Sequence, residues 1–411
     1  MKNRKDLIRG LTVVAVLIVL ILVFVFRVRH DMDDFSVNFE AGKRLRVAET
    51  LYRYEDEHYQ FKYLPASAIL YAPLTMFPLP VAKAIWYMLI LVCTGLLIFI
   101  SYKLLTLSKE PIVGKKLFIW LVPFLVLLKY FFREWDLGQI NTVVTVVLLL
   151  MIASLMKSTS STRPNSIKTA SSGPISDIPT SSTSTKQELL AGVLWGVSVA
   201  LKPYAAIFLL YLVLKQKWKA VFSGLIALGV AVLLPAFYYG LQGNLEVHKE
   251  WITTLSKSTP HLLTTQDNIS LIALSLKWFG DQTVSFWIAG TAIAGLALLI
   301  FGMILLGWKR EQTTFLEGAA LLLCIPLVSP PGWDYTLIMG LPLLMIVLYH
   351  FPRFSRLLQI VLIVNLFIIF VSFYDAMGGQ AYELFMSWSV PTINFLLILA
   401  YALHLRVQRV C

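Results

Sequence analysis

Acidic, basic and amide side chains recur in this chain at the ends of apolar runs. Asp31, Asp33 and Asp34 stand together (RHDMDDF, 29–35), with Asn38 one helical turn beyond Asp34, and an acidic, aromatic stretch ending in Tyr63 follows (LYRYEDEHYQFKY, 51–63). Arg133, Glu134, Trp135, Asp136, Gly138, Gln139 and Asn141 crowd one turn, and Lys202 and Tyr204 flank Pro203. Gln266, Asp267, Asn268 and Ser270 close a later loop, and Trp333, Asp334 and Tyr335 open another apolar run. Each set alone reads as ordinary helix-end residues; an Asp at a helix start reads as an N-cap, where an anion suits the helix dipole. Together, carboxylates, cations and aromatic rings suit recognition of an anionic lipid head group beside a hydroxylated acceptor. The marks of other chemistries are missing: there is no GxxxxGK[ST] phosphate loop, no HExxH, no GxSxG and no Gly-rich dinucleotide turn. The histidines are scattered, no two at metal-ligand spacing, and Cys93, Cys324 and Cys411 form no CxxC, so neither metal, cofactor nor disulfide framework is expected.

These residues need a scaffold that brings them to one side. Of 411 residues, 58% are hydrophobic and 14% charged, against roughly 25% charged in a soluble domain. Apolar runs long enough to cross about 30 Å of hydrocarbon recur throughout. Backbone amides in that layer must be bonded internally, so the runs are helices. The expected fold is an all-α polytopic membrane protein, a single domain over 1–411 with about twelve spans, near 11–27, 82–104, 116–132, 139–156, 188–201, 204–214, 220–240, 284–307, 314–329, 334–350, 357–374 and 386–405.

Charge sets the orientation. With the N-terminus inside, Lys and Arg collect in 1–10, 103–116, 157–187, 215–219, 308–312, 351–356 and 406–411, while Asp and Glu favour the outer side. The net charge of +12 therefore needs no nucleic acid. Basic residues before the apolar run 11–26 resemble a signal peptide, but no small-residue cleavage site precedes Arg27, so an uncleaved first helix is expected. Residues 65–79 are too short to span and carry Pro65, Pro73 and Pro78, so they read as interfacial within a first outer loop, 28–81. Phe35, Phe39 and Leu45 are expected on the bilayer surface. Lys202-Pro203 breaks 188–214 into two short helices that meet near the outer surface, because an unpaired mid-bilayer lysine is expensive. The Ser/Thr/Pro-rich segment 157–187 reads as a disordered cytoplasmic linker.

Six ordered motifs resemble glycosyltransferase family 87, the polyprenyl-phosphate-mannose-dependent mannosyltransferases of GT-C architecture, over most of the chain. Asp33 to Gly42 (DDFSVNFEAG) is similar to the family's first-loop signature. Leu51-Tyr52 and then Phe61-Lys62-Tyr63-Leu64-Pro65 resemble its Phe-x-Tyr-Pro-Pro, and Gly138-Gln139-Ile140-Asn141 its Gly-Gln-x-Asn. Ala200 to Tyr204 resembles the Leu-Lys-Pro turn, Asn268-Ile269-Ser270-Leu271 the Asn-Gln-Ser-Leu, and Ser329 to Tyr335 the Ser-Pro-x-Ser-Trp-Asp-His. Leu64, Ile269 and Tyr335 depart from the family's Pro, Gln and His.

The resemblance implies inverting transfer of a hexose, usually mannose, from a polyprenyl-phosphate sugar to a lipid- or glycan-bound hydroxyl. Asp34 matches the family's base, ahead of Asp33 or Asp31; a carboxylate that accepts the hydroxyl proton contributes roughly 10²–10⁴ in rate. The departing lipid phosphate calls for cations, with Lys202 first and Arg133 second. Gln139, Asn141, Asn268 and Asp334 would bind sugar hydroxyls or set the loops, and Tyr63 and Asn38 line the same site. Trp333 and Trp135 read as interfacial anchors before carbohydrate platforms. A transporter would place charges at mid-bilayer, and Glu317 and Lys129 come nearest to that. An envelope polysaccharide ligase or polymerase would carry a large, arginine-rich late loop, whereas the large loop here comes first and is acidic. A bacterial plasma membrane with both termini cytoplasmic is the expected location.

Overall fold

The computed structural model describes residues 2–107, 116–160, 181–307 and 313–409. Among these there is no strand, only an isolated bridge between Asn268 and Trp333. The chain begins with α1 (Lys2–Val23), which continues through a π-helical turn, Phe24–Val28, to α2 (Asp33–Arg46). Next, α3 (Pro65–Tyr71) and a 3₁₀ turn over Ala72–Met76 pack on α2, as short pieces and not as a span.

The long helix α4 (Leu79–Leu107) is followed by α5 (Lys116–Val126), α6 (Leu128–Leu137) and α7 (Asn141–Ser160). Then come α8 (Ser181–Leu201), α9 (Ile207–Leu214), α10 (Trp218–Leu233) and α11 (Ala236–Leu262). The last third holds α12 (Leu271–Phe279), α13 (Gln282–Leu306), α14 (Thr314–Val328), α15 (Leu341–Tyr349) and α16 (Arg356–Val371). It ends in short α17 (Tyr374–Met377) and α18 (Gly379–Ser387) and then α19 (Val390–Val407).

Among the described residues, α4, α7, α13 and α19 are each long and apolar enough to cross a membrane alone, and α10 with α11 would pass together but bend by 93°. Six shorter apolar helices accompany them. The chain is a multi-pass membrane protein, and helices occupy each of the expected segments. At its centre, α14 from Thr314 to Leu327 and the run Asp334–Tyr349 are buried throughout. Lys202 and Pro203 form a hairpin tip. From it α9 turns back, and α10 then runs beside α8, where Gly192 and Gly196 admit the backbone of Ala220 and Gly224. Opposite the tip, Glu317 is bonded by Lys215 at 2.9 Å, Arg406 at 3.1 Å and the Tyr211 hydroxyl at 3.0 Å, which joins α9, α14 and α19. A buried carboxylate is tolerated only with such partners. Lys129 likewise finds the carbonyl and hydroxyl of Ser372.

Several expectations are corrected. Phe35, Phe39 and Leu45 are buried, not on a bilayer surface: Phe35 packs on Trp86 at 5.6 Å and Tyr71 at 6.1 Å, because α2 lies inward against α4. Trp135 is no interfacial anchor; it is buried and its Nε1 donates to Thr94 at 3.3 Å. The expected linker 157–187 is helical at both ends, since α7 runs to Ser160 and α8 begins at Ser181, with Ser184 donating to the Ser158 carbonyl at 3.0 Å. Its middle, 161–180, lies outside the described residues, as do 108–115 of the expected inner segment 103–116, all of 308–312 with Trp308, and the chain's last two residues.

Candidate active site

The site forms where the start of α2 meets the turn between α6 and α7. That meeting depends on Gly138, which ends α6 at φ +66°; a Cβ there would fall 2.6 Å from the Cβ of Phe35 and 2.9 Å from Met32 Cε. Only glycine combines that backbone with so close an approach. Helix α4 holds both partners. Trp86 Nε1 donates to the Gly138 carbonyl at 2.8 Å, and Lys83 donates to the carbonyls of Arg29 at 3.2 Å and Asp31 at 2.8 Å. The Met32 amide adds a bond to the Asp136 carbonyl at 2.7 Å.

This clamp sets the three acids in different surroundings. Met32, in a left-handed conformation at φ 46°, caps α2, and no side chain makes a capping bond, so the N-cap reading of the acids is not what the fold uses. Asp31 and Asp33 are exposed. Asp34 is half-buried and turned inward, where its Oδ2 accepts from Gln139 Nε2. Gln139 Nε2 donates also to the Tyr335 hydroxyl at 3.1 Å. On the other side, Gln139 Oε1 accepts from the Tyr63 hydroxyl at 3.2 Å, Lys202 Nζ at 3.4 Å and Asn141 Nδ2 at 3.4 Å. Lys202 is buried, with its ammonium 4.3 Å from the centre of the Tyr63 ring, a cation–π contact. Tyr204 donates to Asn141 Oδ1 at 3.0 Å. Asp34, Tyr63, Gln139, Asn141, Lys202 and Tyr335 thus form one connected polar network.

Electrostatics suit a base. Burial pushes the Asp34 carboxyl above its usual range, opposed by the Gln139 bond and then by the charges of Lys202 and Lys62. Burial also pulls both lysines down, opposed for Lys202 by Glu134 and Asp34 and for Lys62 by Asp34. Among the described residues Asp34 forms no ion pair within 4.0 Å with either lysine.

Other expected site residues are held differently. Arg133 bonds Asp334 and Asp267, each at 2.9 Å, so its guanidinium is already matched by two carboxylates. Asp334 is buried with Oδ2 on that arginine and Oδ1 without a partner. Asn268 staples two loops. Its Nδ2 donates to the carbonyls of Leu262 at 3.0 Å and Pro330 at 2.8 Å, while Oδ1 accepts from the amides of Ser270 at 3.0 Å and Gly332 at 3.1 Å. Asn38 is buried one turn beyond Asp34, and its amide atoms have no hydrogen-bond partner. Trp333 stacks on Tyr335 at 6.3 Å. Sequence reasoning did not single out Lys83 or Trp86, and it named Lys62 and Glu134 only within their segments, without a role. A signal existed for two of them, since Lys83 and Glu134 are charges set against apolar runs.

A model of glycosyltransferase family 87 matches residues 61–330, which includes Tyr63, the Gly138–Asn141 turn and the Lys202 hairpin; Asp34 precedes that segment. A polyprenol-phosphate-mannose-dependent alpha-(1-2)-phosphatidylinositol mannoside mannosyltransferase from Mycobacterium tuberculosis is 26% identical over 160 residues, covering 38% of this chain and 36% of that protein. The chain therefore aligns with about a third of that curated relative's length. The crystal structure of ArnT from Cupriavidus metallidurans in the apo state aligns with 98% of this chain and 78% of its own, at a TM-score of 0.41 and 14% identity. With well over half of its length matched by the family model, the chain belongs to glycosyltransferase family 87.

Proposed function

We propose that the protein is a GT-C hexosyltransferase that moves a hexose, mannose first among candidates, from a polyprenyl-phosphate sugar to a lipid- or glycan-linked hydroxyl, with inversion. The observation that carries this reading is the Asp34 carboxylate, desolvated, bonded by Gln139 and facing Lys202 and Lys62. In the reaction the acceptor oxygen attacks the anomeric carbon and its proton passes to Asp34. The bond from that carbon to the phosphate oxygen breaks, and the polyprenyl phosphate leaves with an added negative charge. Lys202 faces that charge, and a preorganised cation there acts without reorganisation. Arg133 was the second cation expected, but its two carboxylate partners make Lys62 the better second. Gln139 and Asn141 serve chiefly to orient Asp34 and Lys202, and the unpartnered amide of Asn38 remains available for substrate. The reaction as written needs neither metal nor cofactor. In this reading the single domain 1–411 crosses a bacterial plasma membrane about twelve times, with both termini cytoplasmic and the site outside.

The test is transfer by purified protein in lipid, supplied with radiolabelled polyprenyl-phosphate-mannose and a membrane-lipid extract, for wild type and Asp34→Asn. Labelled product from wild type, lost at least 10²-fold in a folded Asp34→Asn protein, is the expected result (the order of a general base's contribution, about 10²–10⁴). Undiminished transfer by the variant would remove Asp34 from the role. No transfer by wild type in any extract would return the ligase, polymerase and transporter readings.

A further inference from the structure

One buried acid has no part in the chemistry above. Glu134 is fully buried at the end of α6, and its carboxylate is fastened on both oxygens: Oε2 accepts from Asn141 Nδ2 at 2.8 Å, and Oε1 accepts from the Thr142 amide at 2.8 Å and its hydroxyl at 3.3 Å. All of those partners are donors, which is what an ionised carboxylate requires. It lies one link from the site. Asn141 Nδ2 reaches both Glu134 Oε2 and Gln139 Oε1, and Lys202 Nζ reaches the same Gln139 oxygen.

The polarity of the network follows from this acid. With a carboxylate at one end, Asn141 must turn its NH₂ toward Glu134, which leaves Oδ1 to the Tyr204 hydroxyl. The same NH₂ then points at Gln139, whose amide must answer with Oε1. Lys202, which only donates, reinforces that choice. Gln139 is left with its NH₂ toward Asp34 and Tyr335. Reversed, Gln139 would set an oxygen against the Asp34 carboxylate and an NH₂ against two donors. Charge adds a second consequence. The groups facing Lys202 are Glu134 and Asp34, with the Tyr63 and Tyr204 rings. Asp34 takes up a proton in the reaction, so Glu134 is the one carboxylate among these that stays opposite the lysine throughout the cycle.

We propose that Glu134 is a positioning residue: it keeps the buried Lys202 ammonium charged for the lipid phosphate and, through Asn141, fixes the way Gln139 presents its amide to Asp34. The idea deepens the donor reading above and rests on Lys202 meeting the phosphate. Supporting it, burial drives Glu134 up, opposed first by the bonds from Asn141 and the Thr142 amide and then by the Lys202 charge, and burial drives Lys202 down, opposed first by Glu134 and then by Asp34.

Two measurements on Glu134→Gln, Lys202→Met and the double variant, in lipid nanodiscs, test it. The first is binding of polyprenyl phosphate across pH. Wild type should lose binding as rising pH discharges Lys202, and in Glu134→Gln that loss should come about one pH unit or more earlier, the usual reach of a neighbouring opposite charge. Glu134→Asp should recover part of the difference. The second needs no ligand: Tm of the three variants. Lys202→Met strands Glu134 and Glu134→Gln strands Lys202, so the double variant should lose less than the sum of the singles. An unmoved binding profile in a folded Glu134→Gln protein, or additive Tm losses, overturns the proposal. A wild type that binds no polyprenyl phosphate at any pH overturns the donor reading instead, and the Tm cycle still judges the Glu134–Lys202 link on its own.

Discussion

Replacing Gln139 with leucine takes one hydrogen bond from the base. Asp34 accepts from Gln139 Nε2, and its carboxyl is already pushed up by burial. A hydrogen bond to a charged group is worth about 1.5–3 kcal/mol, and one pKa unit is about 1.36 kcal/mol. Loss of the bond should therefore raise the Asp34 pKa by about one to two units. The sign is fixed by the role. Asp34 works ionised, so activity is present above its pKa and lost as pH falls through it; a higher pKa moves the acid limb to higher pH. The assay is kcat/KM for sugar transfer from pH 5 to 9, with activity at the plateau compared separately. Tyr63, Lys202 and Asn141 lose an acceptor in the same variant, so its Tm is to be followed alongside. An acid limb that stays put, or moves to lower pH, in a folded variant would refute the assignment of Gln139 as the group that stabilises the ionised base.

Two further substitutions probe the frame. Gly138→Ala forces a Cβ to within 2.6 Å of Phe35 in a left-handed backbone; strain of about 1–3 kcal/mol plus the clash should lower Tm and sharply reduce transfer, and an unchanged Tm would count against the close docking of α2. Arg133→Met strips the partner from buried Asp334 and from Asp267, a loss smaller than the about 3–5 kcal/mol of a fully buried pair because the Arg133 and Asp267 side chains are 36% and 34% exposed. Chemical denaturation should show it, and Arg133→Met with Asp334→Asn should recover part; if donor KM alone changes, Arg133 binds phosphate after all.

How much of this was readable in the sequence varies with distance. The helix ends were, because a charged or amide residue beside a long apolar run has one economical place to go, the rim. That logic gathered the three acids, Gln139, Asn141 and Lys202 on one side and split 188–214 at Lys202-Pro203, while the choice of Asp34 among the acids came from the family resemblance. Partnerships across the fold were not. Arg133 looked like a free cation because its two carboxylates come from Asp267 and Asp334, far along the chain. Asn268 looked like a sugar ligand, but its side-chain bonds go to backbone groups that are visible only once the 262–270 and 330–332 loops meet. Phe35 and Phe39 misled for a related reason. In a membrane protein an apolar face fits lipid and core equally well, and only the docking of α2 on α4 distinguishes them.

The clamp on α4 also bears on the order in which the site is built during synthesis. Lys83 and Trp86 lie one turn apart and hold, respectively, the segment ahead of Asp34 and the turn ahead of Gln139. The ribosome emits 29–34 first, then α4, then 138–141, so the base waits on a template already attached and acquires Gln139 as soon as the α6–α7 turn emerges. Lys202 joins next and Tyr335 last. Every later segment of the nascent chain therefore inserts against a half-finished centre. An error in the final third should leave that centre assembled but for Tyr335, while an error in α4 leaves it no surface on which to assemble.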